Sequence, residues 1–380
     1  MIRHRTKFAT ALAFLTLFGM LSVTPRPTTA AAELPSQLSD EEFWKLVTDL
    51  SEGGGYFRSD NFVSNETTFQ FVIPELKNTI KPGGVYMGVG PDQNFTYIVN
   101  LESKISFILD IRRQNMLQHL MYKALIELSS DRAEFVSRLF SRVRPEGLDI
   151  NSSAEQLFAA YEKADRSRQL YTDNFAAILK HLEQKHGFKL STEDEKGIEY
   201  VFNAFYVGGL ELNYNGPSAI GLGGRGRMPS YSELMIQTDR EGLNRSYMSS
   251  EETFRTLQDI EKKNLVVPLV GDFAGPKALR AVGDYLREHG ATVSVFYLSN
   301  VEQYLFQQDD DWSKFFTNVG TLPLASNSTF IRSIFNGLIP PRSTGFGLRS
   351  ASVLSPVDEL LKAFGNGQLR TYYDVIQMSH

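Results

Sequence analysis

One stretch restricts the fold of this chain more than any other. A short apolar strand, Val85-Tyr86-Met87-Gly88-Val89-Gly90, runs into glycines. A helical pattern follows from Asp92 to Leu101, and then a second apolar strand, Lys104 to Asp110, ends on an acid. A long amphipathic helix comes next, with Met116, Leu117, Leu120, Met121, Ala124, Leu125 and Leu128 at helical spacing. The same alternation resumes far downstream. Leu265 to Val270 reads as a strand, Gly271 to Gly275 as a turn, Pro276 as the opening of a helix that stops at Gly290, and Thr292 to Leu298 as another strand. Strands alternating with helices predict an α/β protein with a parallel sheet and right-handed crossovers.

The expected architecture is therefore a Rossmann-like, mostly parallel sheet with helices on both faces. Ahead of it, Ser39 to Glu42 forms a capping box opening a helix, and a second helix is expected over Thr67 to Thr79. The middle of the chain, about 131–215, is a helical insertion: Arg132 to Arg142, Ser153 to Gln169, Tyr171 to His186 and Thr192 to Val207. Residues 208–230 are glycine-rich and read as a long loop, and a helix is expected near Ser250 to Lys262. Thr371 to Met378 is expected to be a last strand. Residues 33–380 are read as a single α/β domain carrying this insertion.

The first 32 residues read as a secretory signal peptide. Arg3, Arg5 and Lys7 form a basic start, Ala11 to Val23 an apolar stretch, and Ala30-Ala31-Ala32 supplies small residues for a cut after Ala32. The apolar run is shorter than the roughly 20 residues that a spanning helix needs, with an uncleaved anchor as the alternative. The expectation is an exported protein, periplasmic or secreted, that meets a membrane only through this segment before cleavage. Removing 1–32 takes four basic residues and no acid, so the formal charge falls from −5 to −9. So acidic a chain lacks the basic footprint of a nucleic-acid binder. It has no cysteine, which excludes disulfides, thiolate metal sites and cysteine nucleophiles.

The chemistry centres on Gly88-x-Gly90 with Asp110 at the end of the next strand. Glycines there let a ligand approach backbone at a helix N-terminus, and an acid about 20 residues on can accept from a ribose diol. The plainer alternative is a tight turn at the glycines and helix capping by Asp110. A dinucleotide fingerprint wants a third glycine where Gln93 stands. Asp272, Ser299 and Asn300 lie just past the ends of two later strands, so they can converge on the same edge as a ligand cleft; helix capping explains each singly. Arg225 and Arg227 in the Gly221 to Arg227 loop could clamp an anion, against a solvated loop. The Arg58-Ser59-Asp60-Asn61 turn is treated alike. Asp309-Asp310-Asp311 reads as an exposed acidic turn. His181 and His186, five apart, are a poor helical ligand pair, and no metal site is expected. P-loop, nucleophile-elbow and His-Glu-x-x-His signatures are absent from the sequence.

The stretches "VYMGVGPDQN" and "FILDIRRQN" resemble the first and second motifs of class I S-adenosylmethionine-dependent methyltransferases. The resemblance covers about 84–128, with a looser match over 265–300. It implies S-adenosylmethionine as cofactor, Gly88, Gly90 and Asp92 at the methionine end and Asp110 on the ribose. That family usually has an acid just before the first glycine, where this chain has Met87. "GYFRSDNFVSNE" and "VGDFAGPKALRAVGDYL" look like stretches of bacterial proteins of unknown function. Two functions follow as expectations: methyl transfer to an unknown acceptor, or an exported small-ligand or partner binder that keeps the fold without the chemistry. No catalytic residue is assigned by the sequence.

Overall fold

The sheet is built from runs that leave no polar face. β1 (Val85–Gly88), β2 (Ile105–Asp110) and β3 (Val266–Val270) are buried along their whole length, as continuous apolar strands of a covered parallel sheet should be. β4 (Val293–Ser299), β5 (Leu324–Phe335) and β6 (Ser350–Pro356) complete it. This computed structural model describes residues 33–217, 228–335 and 350–380.

The strand order is β3-β2-β1-β4-β5-β6. β1 to β5 run parallel, with Met87 beside Phe107 in β2 and beside Phe296 in β4, whereas β6 returns antiparallel to β5. The chain steps outward from β1 to β3, then comes back to the opposite side of β1 with β4. The crevice between the carboxyl ends of β1 and β4 is thus a topological switch point, where open α/β sheets take their ligands.

Helices surround this sheet. α1 (Asp40–Asp49) opens with the expected capping box between Ser39 and Glu42. α2 (Ile73–Thr79) is shorter than expected: Pro74 sits in its first turn, and 67–72 is a run of turns that still buries Phe69. α3 (Gln93–Leu101) and α4 (Arg113–Leu128) follow β1 and β2. The insertion comprises α5 (Arg132–Phe140), α6 (Ala154–Glu162), α7 (Arg168–Lys180), α8 (Thr192–Gly208) and α9 (Tyr231–Ile236). It packs back onto the sheet layer, α8 and α5 against α4. α10 (Glu251–Lys262) then leads into β3.

α11 (Ala278–Glu288), α12 (Val301–Leu305) and α13 (Asp311–Val319) surround β4, and α14 (Val357–Gly365) packs on β5 and β6. The expected last strand is instead α15 (Tyr372–Gln377). Thr371 and Asp374 form a capping box, and Val375 and Ile376 are both buried, Val375 in the main core and Ile376 beside Ile334, Ala351 and Val353. The antiparallel edge comes from β5 and β6, where Arg332 is fully buried and paired with Glu302. A second correction concerns the two histidines. α7 passes into a π-turn, His181–Lys185, closed by His186 N–H donating to His181 O at 3.1 Å. The wider turn brings the two imidazoles to 4.9 Å between ring centroids, where an α-helix would splay positions five apart.

Candidate functional site

The turn between β1 and α3 is held rigid from below. Asn94 wraps it, its Nδ2 donating to Val89 O at 2.9 Å and Pro91 O at 2.7 Å while its Oδ1 accepts from Tyr86 Oη at 2.8 Å. Gly88 makes room for this: a Cβ there would lie 2.0 Å from Asn94 Oδ1. Gly90 is glycine for another reason, a φ of +80°. Its carbonyl meets His119 Nε2 at 2.9 Å, and burial holds the pKa of that imidazole down at about 4. A neutral His119 therefore donates from Nε2 to the turn.

Above this turn lies a cavity of about 170 Å³ at the switch point, room for on the order of ten waters and hence for a metabolite rather than a lone ion. Gly90, Asp110, Asp272, Ser299 and Asn300 all line it. Five of the seven sequence-derived positions, from four separate chain segments, therefore converge. Gly88 and Asp92 do not reach it. Gly88 serves Asn94, as above. Asp92 points into the interior, where Tyr247 Oη donates to it at 3.0 Å and Tyr231 Oη lies 2.6 Å from Tyr247 Oη. Burial raises its pKa to about 7. The methionine-end role expected of these two residues is corrected accordingly.

Asp110 is committed to more than a ligand. Its Oδ1 accepts from the backbone N and Nε of Arg112, both at 2.9 Å, and its Oδ2 from Arg112 Nη2 at 2.8 Å. Arg112 Nη1 in turn donates to Ser59 O at 2.8 Å and to Asp60 O. This ion pair staples the 56–66 segment over the cavity. The Arg58–Asn61 turn acts through it: Asn61 lines the cavity while the Ser59 and Asp60 carbonyls anchor the segment. Asp272 holds its own turn, its Oδ1 accepting from Ala274 N at 2.9 Å. The role of helix cap expected for it falls to Glu52, whose carboxylate accepts from Asp272 N and Lys277 N. Asn300 occupies the N-cap of α12 without making a side-chain cap bond.

The deepest polar group escaped the sequence reading. Glu66, 1 % exposed, accepts at Oε1 from Tyr297 Oη at 2.6 Å and Ser299 Oγ at 2.5 Å. Gln93 Nε2 donates to the same Tyr297 hydroxyl. Glu66 Oε2 and Gln93 Oε1 have no protein partner. Burial pushes the Glu66 carboxyl above its ordinary pKa. Ser299 sits at φ +50°, a strained position for a serine, which this contact fixes. Gln93, at the place of a third dinucleotide glycine, puts a side chain where that fingerprint needs a bare backbone for close helix–strand packing, and it lines the cavity instead. The only sequence signal for Glu66 was an acid embedded in a turn between apolar runs.

The lining is acidic and aromatic. Glu66, Asp110, Asp272 and Asp311 contribute carboxyls, and Arg112, the one cation lining the cavity among the described residues, is already paired. Phe57, Phe273, Tyr297 and Tyr304 supply ring faces. Such walls suit a ligand carrying positive charge and a flat ring. Lys314 covers the acidic turn, 2.7 Å from Asp310 and 3.0 Å from Asp311. Arg225 and Arg227 lie outside the described residues.

A family model described as "Domain of unknown function (DUF7790)" matches residues 61–346. No curated protein matches the chain.

Proposed function

The chain belongs to the DUF7790 family, a domain of unknown function, and we propose that its switch-point cavity binds S-adenosylmethionine. The observation that carries this reading is the convergence of Gly90, Asp110, Asp272, Ser299 and Asn300 with the buried Glu66 around one acidic, aromatic cavity. The ligand class it calls for is cationic, hydroxyl-bearing and partly flat. S-adenosylmethionine has an ammonium, a sulfonium, a ribose diol and a purine, and the resemblance over 84–128 points to it independently.

The residues fit the group. The position where that family keeps an acid is Met87, and Glu66 brings a carboxyl to the lining of the same cavity from a different segment, its Oε1 held by Tyr297 and Ser299. Asp110 retains one acceptor site, on Oδ2, for a ribose hydroxyl beyond the three bonds given to Arg112. The bare backbone at Gly90 permits close approach. When bound, the cofactor supplies an activated methyl group. The protein's share is to orient an acceptor and exclude water, a contribution that needs no dedicated base.

A second reading is supported by Asp110 itself. A carboxylate already clamped by Arg112 serves a binding cleft as well as it serves an enzyme, and an N-terminal export signal would carry the protein away from the compartment where the methyl donor is made. On that reading the cavity holds a cationic metabolite without chemistry.

Thermal melting of the purified chain separates these. Saturating S-adenosylmethionine or S-adenosylhomocysteine should raise the melting temperature, by an increment equivalent to about 2.7 kcal/mol at one hundred times the dissociation constant. No shift at millimolar ligand sinks the cofactor proposal. A shift with the charged cofactor, without methyl transfer to any offered acceptor, leaves the binder. Sequencing the N-terminus of the protein from its native host tests export, with Glu33 as the expected first residue.

A further inference from the structure

The π-turn after α7 assembles a group that involves none of the residues lining the cavity. His181 Nε2 and His186 Nε2 each lie 2.9 Å from the same carboxylate oxygen, Glu127 Oε2, on α4. All three donor atoms fall within 4.8 Å of one another. From this geometry we propose a divalent transition-metal site, with zinc as its ion, held by His181, His186 and Glu127.

The donor set is chemically apt. Two imidazoles and one carboxylate form a recognised three-ligand zinc set that leaves a fourth position for water. Zinc bonds of about 2.0–2.1 Å place neighbouring tetrahedral donors about 3.3 Å apart. The present 2.9 Å separations therefore need to widen by only a few tenths of an ångström.

The surroundings orient the ligands. His186 Nδ1 lies 2.6 Å from Asp40 Oδ1, and Asp40 is itself fixed by Asn264 Nδ2 at 2.9 Å. A carboxylate on the far nitrogen is what sets the tautomer and direction of a metal-binding imidazole. Lys123 Nζ lies 2.7 Å from Glu127 Oε1, which leaves Oε2 to face the histidines. Glu127 and His186 are buried to 6 % and 4 % side-chain exposure, and His181, at 14 %, offers the way in.

The backbone supplies an independent pointer. π-turns are rare, carry a strain that an α-helix avoids, and gather at functional sites. Here the widened turn does one visible thing, which is to bring residues 181 and 186 to the same oxygen. An ion there would tie α1, through Asp40, to α4 and α7.

The test uses the full chain, stripped with chelator and titrated with zinc ion alone by calorimetry at neutral pH. The proposal expects one equivalent bound with sub-micromolar affinity and a melting temperature raised by several degrees, reversed by chelator. Cobalt substitution should give the intense visible bands of a four-coordinate site. His181→Ala, at the exposed ligand, and the isosteric Glu127→Gln should each lose that equivalent, with weakening of at least tenfold, while the metal-free His181→Ala protein still melts cooperatively. No bound equivalent, or the same binding in both variants, overturns the site and leaves the three side chains as a hydrogen-bonded cluster that ties α7 to α4.

Discussion

The hydroxyl of Ser299 donates to Glu66 Oε1 at 2.5 Å, joining positions 233 residues apart and fastening the end of β4 to the segment that precedes β1. The cavity wall is closed by this contact and by the Tyr297 hydroxyl on the same oxygen. Glu66→Gln retains an acceptor for both hydroxyls and removes the charge. The expected outcome is a melting temperature within a few degrees of the native protein and an affinity for S-adenosylmethionine at least about tenfold weaker, or about 1.4 kcal/mol. Because burial raises the Glu66 pKa, cation binding below that pKa is coupled to proton release, so native affinity should climb with pH through it while the variant stays flat. Calorimetry across pH checks both; unchanged affinity in Glu66→Gln places the ligand's positive end elsewhere.

Arg112 holds the 56–66 segment through the Ser59 and Asp60 carbonyls while neutralising Asp110. Arg112→Ala leaves a buried carboxylate unpaired, at a cost of about 3–5 kcal/mol. The double variant Asp110→Ala/Arg112→Ala removes that orphan and should be more stable than the single one. Urea unfolding measures the order of the two, and hydrogen exchange should show residues 57–62 opening in both. An order reversed, with the double variant weaker, would mean that the pair stabilises rather than merely compensates.

The two glycines of the β1–α3 turn should respond differently to alanine. At Gly90 the nearest atom to a new Cβ is Asn61 Nδ2 at 3.5 Å, so the penalty is that of a left-handed backbone, about 1–2 kcal/mol. At Gly88 the Cβ meets Asn94 Oδ1 at 2.0 Å and the Tyr86 ring at 2.9 Å. Asn94 must then abandon the turn that it wraps, and buried partners lose their bonds. The expected cost of Gly88→Ala is larger, about 2–4 kcal/mol, with loss of ligand binding although Gly88 lines no part of the cavity. Chemical denaturation ranks the two, and equal costs would show that Asn94 adapts.

Local rules made much of this arrangement readable. β1 to β4 are short apolar runs next to glycine, proline or acid, and their alternation with helices fixes the parallel topology. Gly90, Asp110, Asp272, Ser299 and Asn300 were found because each sits at or just past a strand's carboxyl end, and parallel strands put those ends on one edge. Glu66 follows no strand, and its place depends on a contact made 233 residues later. β5 was hidden because Arg332 and Ser333 interrupt its apolar pattern, although both are buried, Arg332 through its pairing with Glu302. Thr371–Met378 misled because eight residues satisfy a strand and a helix pattern alike until the capping box is weighed. The His181–His186 pair lay beyond any α-helical template, since its spacing makes sense only on a π-turn.

Asp92 gives the last prediction, which concerns pH. Its carboxyl is buried against Tyr247 and titrates at about 7 in the folded protein, against 3.8 as the ordinary value, because burial disfavours the charge. Between those two values the folded state holds a proton that the unfolded chain releases. Stability from this group is therefore complete below about pH 3.8 and is lost as pH rises through 7, a difference on the order of 4 kcal/mol. Asp92→Asn keeps an acceptor for the Tyr247 hydroxyl and cannot ionise. Its stability relative to the native protein should change little between pH 3 and 4, rise steadily from pH 4 to 7 and level off above. The slope carries the argument, because any cost of burying the new amide is the same at every pH. Urea unfolding of both proteins across that range supplies the measurement, and a difference independent of pH would show that Asp92 is ionised in the folded state.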